Sequence, residues 1–176
     1  SSRTAFRPES PATMEPPPQL AVFTDGDGMS ALTRYDGRRE PLAYLDQLTS
    51  ALPFHLLERP RVLVLGAGAG ADVLQAIYHG ARAIDAVELN PQIVDLVQRR
   101  FAAFSGAPYS APGVHIHVGE ARGFVASRRD RFDLIQVALL DAFGASSAGL
   151  YALSESYLYT VEALQEYLQH LERCAR

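Results

Sequence analysis

The most constraining stretch of this chain is the ten residues from Arg61 to Gly70. Val62, Leu63, Val64 and Leu65 form an unbroken apolar run, and glycine then stands at 66, 68 and 70. A run that short and that apolar reads as a strand buried on both faces. Glycine at alternate positions lets the chain turn sharply into a helix, and lets another group approach the backbone with no Cβ in the way. Val73, Leu74, Ile77 and Tyr78 follow at helical spacing, and Gly80 stops the helix. A buried strand that leads through a tight turn into a helix needs parallel partners, which makes the fold α/β.

The rest of the chain repeats that alternation. Ala83 to Leu89 reads as a second strand. Asn90 caps the next helix and Pro91 takes its first position, where a missing N–H costs nothing. Ile93, Val94, Val97, Phe101 and Phe104 make its apolar face. Val114 to Val118 is a third strand, Glu120 to about Ser127 a short helix, and Phe132 to Ala138 a fourth strand. Residues 141 to 150 are rich in Gly, Ala and Ser and read as a mobile loop. Ser154 is expected to cap a last helix with Leu158, Val161, Leu164, Leu168 and Leu171 on its inner side. Right-handed crossovers between such strands build a Rossmann-like core, with its ligand at the carboxyl ends of the strands. The chemistry is therefore expected at residues 66 to 70, 88 to 90, 119 to 122 and 138 to 144.

Three segments are expected. Residues 1 to 18 carry five prolines with no apolar periodicity and read as a linker or tail. Residues 19 to 59 read as a small β-hairpin followed by a lead-in helix. Leu20 to Phe23 and Met29 to Tyr35 flank two Asp-Gly steps, and Pro41 opens a helix carrying Leu42, Leu45, Leu48 and Leu52 that Pro53 ends. Residues 60 to 176 read as a Rossmann-like nucleoside-binding domain. It is expected to be truncated after the fourth parallel strand and its following helix. An open sheet edge of that kind invites pairing with a partner or a second copy.

Composition excludes several functions. The net charge of −4 argues against nucleic-acid partners, which need a positive surface. All 16 basic residues are arginine, so Schiff-base chemistry and a phosphate-loop lysine are absent. The single cysteine, Cys174, allows no internal disulfide. No apolar run approaches the ~20 residues of a membrane span, and a cytoplasmic setting is expected. His115 and His117 share one face of a strand, but no third ligand has metal-site spacing, so no metal is expected. Ser146 and Ser147 have no identifiable histidine partner. Arg122, Arg128, Arg129 and Arg131 are read as surface charges.

Gly66, Gly68 and Gly70, followed by free helix N–H groups, form a candidate ligand loop. Glu88 ends the second strand 18 residues beyond Gly70. An acid there can accept from both hydroxyls of a ribose. Gly66-x-Gly68-x-x-Ala71 also fits a dinucleotide fingerprint, but nothing further along resembles a nicotinamide or flavin site.

The run from Val62 to Gly70, Val87 to Pro91, Val118 to Arg122, Phe132 to Ile135 and Glu155 to Tyr157 occur in an order that resembles the polyamine aminopropyltransferases, the spermidine synthases. The likeness is greatest to bacterial forms fused to membrane segments. The resemblance implies the class I methyltransferase fold and a nucleoside cosubstrate, either decarboxylated S-adenosylmethionine or S-adenosylmethionine, with a polyamine or other amine acceptor. It implies that Glu88 binds ribose, that Glu120 contacts the adenine amino group, and that Ala121 leaves room for the ring. Tyr44 matches a substrate-contacting tyrosine, and Asp141 matches a second acid that helps to hold a cationic amine. Three positions depart from the family: Ala69 and Ala138 stand where it has acids, the latter catalytic, and Leu45 stands where it has glutamine. Three readings stay open: an aminopropyltransferase with an altered acceptor side, in which Asp141 or Tyr44 handles the proton; an S-adenosylmethionine-dependent methyltransferase; and a non-catalytic nucleoside-binding module of a larger membrane-associated protein.

Overall fold

The computed structural model describes residues 15–24, 28–138 and 157–172. The proline-rich tail up to residue 14, the turn at 25–27, Asp141, the loop at 141–150 and Ser154 lie outside the described residues. Strands β1 (Gln19–Thr24) and β2 (Gly28–Thr33) pair as an antiparallel hairpin, with Phe23 opposite Met29 and Ala21 opposite Ala31. Strands β3 (Arg61–Leu65), β4 (Ala83–Glu88), β5 (Val114–Val118) and β6 (Leu134–Val137) form a parallel sheet in the order β5-β4-β3-β6. That is the expected doubly wound order around the first parallel strand.

The sheet is held at its centre by β3. Val62, Leu63, Val64 and Leu65 are fully buried, each worth about 1.5–3 kcal/mol of gross burial. Val62 and Val64 face one layer with Ile84, Ala86 and Val114. Helix α1 (Ala71–Tyr78), helix α2 (Pro91–Asp95) and the hairpin residue Leu32 cover that side. Leu63, Leu65 and Val87 face the opposite layer, covered by α4 (Ala121–Ala126) and α5 (Val161–Gln169). One charged group interrupts this second layer. Asp85, nearly buried on β4, is paired with Arg61 of β3 at 3.1 Å and with His117 of β5 at 3.0 Å. His117 is thus a partner of a buried acid. Among the described residues no group of three or more His, Cys, Asp or Glu is placed to hold a metal ion.

The helical segments depart from expectation where the helical period changes. The lead-in helix is two 3₁₀ segments, Glu40–Gln47 and Thr49–Leu56, separated by the extended residue Leu48. Three residues per turn put Leu42 and Leu45 inside, and after the break Ala51 and Phe54. Leu48 and Leu52 are exposed, and Pro53 sits inside the second segment instead of ending it. Helix α2 widens into a π turn at Leu96–Arg100, closed by Phe101 N–H donating to the Leu96 carbonyl, before α3 (Ala102–Ser105). The wider turn rotates Phe101 outward while Val94 and Val97 stay buried. Helix α5 begins at Thr160, whose side chain accepts from Ala163 N–H. Its inner stripe is Ala163 and Tyr167, and the expected core residues Val161, Leu164 and Leu168 face outward.

Candidate functional site

The site is built where β3 and β4 end. Gly66, Gly68 and Gly70 all adopt positive φ, at 82°, 53° and 96°. Only glycine takes that succession without strain. At Gly70 a Cβ would lie 3.3 Å from Pro108 Cγ, and at Gly68 it would lie 2.8 Å from the Ser30 hydroxyl of β2. The loop is thus packed from two sides by the hairpin and by the Pro108–Tyr109 segment.

Glu88 closes the loop from β4. One carboxylate oxygen accepts from Gly68 N–H at 2.7 Å and the other from Asn90 N–H at 2.8 Å. Asn90 in turn caps α2 by accepting from Gln92 N–H at 2.9 Å. The expected ribose acid therefore also pins both turns that frame the site. Gly66 and Ala67 N–H donate to the Val87 carbonyl, and Gly70 N–H to the Ala67 carbonyl. With Gly68 N–H on Glu88, these four loop donors are all engaged within the protein.

Tyr109 completes the clamp and was not foreseen from sequence. Its hydroxyl donates to the Gly68 carbonyl across 41 residues of chain, and its ring packs against Gly70. Burial, with Glu88 and Asp72 nearby, pushes the phenol well above its ordinary value, so it stays a donor. Nothing local marks Tyr109 in the sequence. Leu89 lies in the 88–90 segment where chemistry is expected, and its exposure is what the structure adds. It follows Glu88 and is 64% exposed, and Val118 at the end of β5 is 55% exposed. Two bare apolar side chains beside a buried carboxylate suit a flat base next to a sugar.

Glu120 lies at the end of β5, where Gly119 N–H donates to the Glu88 carbonyl. Its carboxylate caps α4, accepting from Arg122 N–H at 2.8 Å and Gly123 N–H at 2.6 Å. Ala121 is buried beneath it. Glu88, Glu120, Ala121 and the three glycines are therefore gathered at one end of the sheet. Tyr44 is placed apart from this group. Its hydroxyl is within hydrogen-bond distance of Thr33 Oγ1 at 3.2 Å and Gln19 Nε2 at 3.3 Å, at the base of the hairpin. Leu45 is buried, and Ala69 is buried within the loop. Ala138 directly follows β6, its N–H donating to the Leu65 carbonyl at 2.9 Å beside the start of the glycine loop. Arg122 faces Glu166 at 3.8 Å, a surface ion pair as expected.

A family model described as the spermine/spermidine synthase domain matches residues 43–168. A polyamine aminopropyltransferase of Alkaliphilus oremlandii is 30% identical over 149 residues, covering 84% of this chain and 50% of the relative. One from Korarchaeum cryptofilum is 26% identical over 89 residues, 50% of this chain and 28% of the relative. The chain thus spans half or less of the length of these curated relatives. Among solved structures, spermidine synthase from Thermotoga maritima superposes with a TM-score of 0.56 at 17% identity, over 82% of this chain and 46% of that one. Human methyltransferase-like protein 13 in complex with SAH gives 0.52 at 19% identity, over 73% of this chain and 60% of that one. At those identities the likeness carries the fold, which is that of the class I methyltransferases.

Proposed function

The chain belongs to the spermine/spermidine synthase domain family, and on that premise we propose that it binds decarboxylated S-adenosylmethionine and passes the aminopropyl group to an amine. The observation that carries this reading is Glu88, a carboxylate held by two backbone N–H groups at the mouth of a positive-φ glycine loop. Each of its oxygens keeps a further lone pair for a ribose hydroxyl. Leu89 and Val118 offer the base an apolar platform. Glu120 supplies an acceptor for the adenine amino group, and Ala121 leaves room beside it for the ring.

Transfer is a displacement at the carbon next to a sulfonium. The amine must arrive unprotonated and in line. Ala138, at the end of β6, leaves that position without a base. In this reading Asp141 and Tyr44 remain the candidates by resemblance. The Tyr44 hydroxyl is already engaged by the hairpin, which sets it to position rather than to accept a proton.

A second reading, a methyltransferase using intact S-adenosylmethionine, draws on Ala69. A buried alanine there spares the cofactor's carboxylate a like-charge neighbour. Titration with decarboxylated S-adenosylmethionine, S-adenosylmethionine and methylthioadenosine separates the two. Tighter binding of the decarboxylated form with turnover on a diamine supports the first, and preference for the intact form supports the second. Methylthioadenosine binding without turnover on any amine leaves a binding module, and no binding of any of the three refutes all of them. Association of two copies through the edge of β6 or the outward pair Phe23 and Met29 is part of the same proposal. A monomeric mass in solution removes it.

A further inference from the structure

One polar cluster lies in the layer between α1 and the sheet, and the site as described makes no use of it. Strand alternation puts Leu134 and Gln136 on the same face of β6, about 6.6 Å apart, and Ala138 directly follows the strand with its N–H on the Leu65 carbonyl. Leu134 packs in the apolar layer beneath α1, and Gln136 stands beside Val64 of β3. Gln136 Nε2 donates to Asp72 Oδ1 at 2.6 Å and to Gln75 Oε1 at 3.1 Å. Gln75 Nε2 continues the chain to the Leu45 carbonyl at 2.8 Å. The cluster therefore ties together three elements that border the acceptor side. They are the lead-in segment that carries Tyr44, the first turn of α1 just past the glycine loop, and the strand that leads into Ala138.

The cluster is rich in acceptors and short of donors. Gln136 Oε1 is buried with no hydrogen-bond partner. Among the described residues no arginine or histidine lies within ion-pair distance of Asp72. Its carboxyl is pushed above the usual range by burial, against the opposing pull of the Gln136 hydrogen bond. A buried carbonyl oxygen and a buried carboxylate that share one amide call for a cationic donor with several hydrogens. A primary ammonium has that chemistry: one positive charge and three N–H groups.

We infer that Asp72 and Gln136 form the recognition site for a primary ammonium of the acceptor, one strand step from the position where the catalytic acid is missing. This rests on the transferase reading. Asp72 takes one proton from the ammonium, and Gln136 Oε1 accepts a hydrogen bond from the nitrogen. The freed lone pair forms the new C–N bond at the carbon next to sulfur. The C–S bond breaks, its electron pair leaves on sulfur as the neutral thioether, and the positive charge passes to the product amine. Asp72 then releases its proton to water.

The test uses the chain as it stands, with methylthioadenosine and 1,4-diaminobutane as probes in calorimetry. Wild type loaded with methylthioadenosine is expected to take up the diamine. Asp72→Asn keeps the shape of the side chain and its Gln136 contact. It is expected to weaken diamine binding at least tenfold more than it weakens nucleoside binding. Gln136→Leu, which removes the orphaned acceptor, is expected to weaken the diamine at least threefold, and it serves should Asp72→Asn fail to fold in a thermal melt. Equal diamine affinity in wild type and a folded variant overturns the inference and leaves the transferase reading standing. A wild type that binds methylthioadenosine but no diamine overturns the transferase reading, and the inference falls with it.

Discussion

Replacing Glu88 by glutamine isolates its charge from its shape. The side chain is 7% exposed, and its two oxygens accept from Gly68 N–H at 2.7 Å and Asn90 N–H at 2.8 Å. Glutamine has one acceptor oxygen and presents an NH2 on the other side, so one of the two backbone N–H groups loses its partner. A buried donor left unpaired costs about 1–3 kcal/mol. For a chain of this size that lowers Tm by roughly 2–12 °C. The effect on ligand is separate. A ribose hydroxyl donating to a charged acceptor is worth about 1.5–3 kcal/mol, and each 1.4 kcal/mol is a factor of about ten. Glu88→Gln, and still more Glu88→Ala, should therefore weaken methylthioadenosine by at least about tenfold in a variant that still folds. Thermal melts and calorimetry on the same samples separate the two effects. A variant that melts lower yet binds as tightly as wild type removes Glu88 from the ligand site. A variant with unchanged melting contradicts the clamp.

Four further outcomes follow. Ala138→Asp should raise or create transfer to a diamine, read as methylthioadenosine release, and a variant that binds cosubstrate yet stays silent refutes the missing-base account. Tyr109→Phe keeps the ring against Gly70 and loses the bond to the Gly68 carbonyl. It should cost about 1 kcal/mol, and an unchanged melt in denaturant contradicts that. Gly70→Ala forces a Cβ to within 3.3 Å of Pro108 at φ +96° and should destabilise by about 1–2 kcal/mol or more, seen as a lower urea midpoint. Burial holds the His79 imidazole below its ordinary value of 6.5, with Asp46 opposing. The folded chain keeps it neutral while the unfolded chain takes up a proton. Stability is thus whole above that ordinary value and is lost as the pH falls towards the lowered folded one. His79→Phe should flatten melts in this range, and an unchanged slope contradicts the assignment.

The parts of the fold legible in sequence are those set by burial on both faces. Val62 to Leu65 could only be a central strand, and the parallel order then followed from the alternation. The helical faces were harder because sequence spacing assumes one period. Leu48, extended between the two 3₁₀ segments, and Leu52 within the second fall outside, and the π turn at Leu96–Arg100 turns Phe101 out. On α5 Ala163 and Tyr167 form the buried stripe, and Leu164 and Leu168 lie outside it. The site divides in the same way. Glu88 and the glycines were readable because turn geometry and strand ends are local. Tyr109 on Gly68 and Gln136 on Asp72 join residues 41 and 64 positions apart, and no spacing rule reaches that far. Asp141 lies outside the described residues.

The central claim is that a thioadenosine nucleoside sits against the glycine loop and Glu88. Amide NMR of the wild-type chain during a methylthioadenosine titration tests it most directly. The account predicts that the Gly66, Gly68, Gly70 and Leu89 amides shift together and saturate at one equivalent, while Gly37 and Gly80, away from the loop, stay in place. Saturable binding that leaves the Gly68 and Leu89 amides unmoved would contradict it, as would no binding at all.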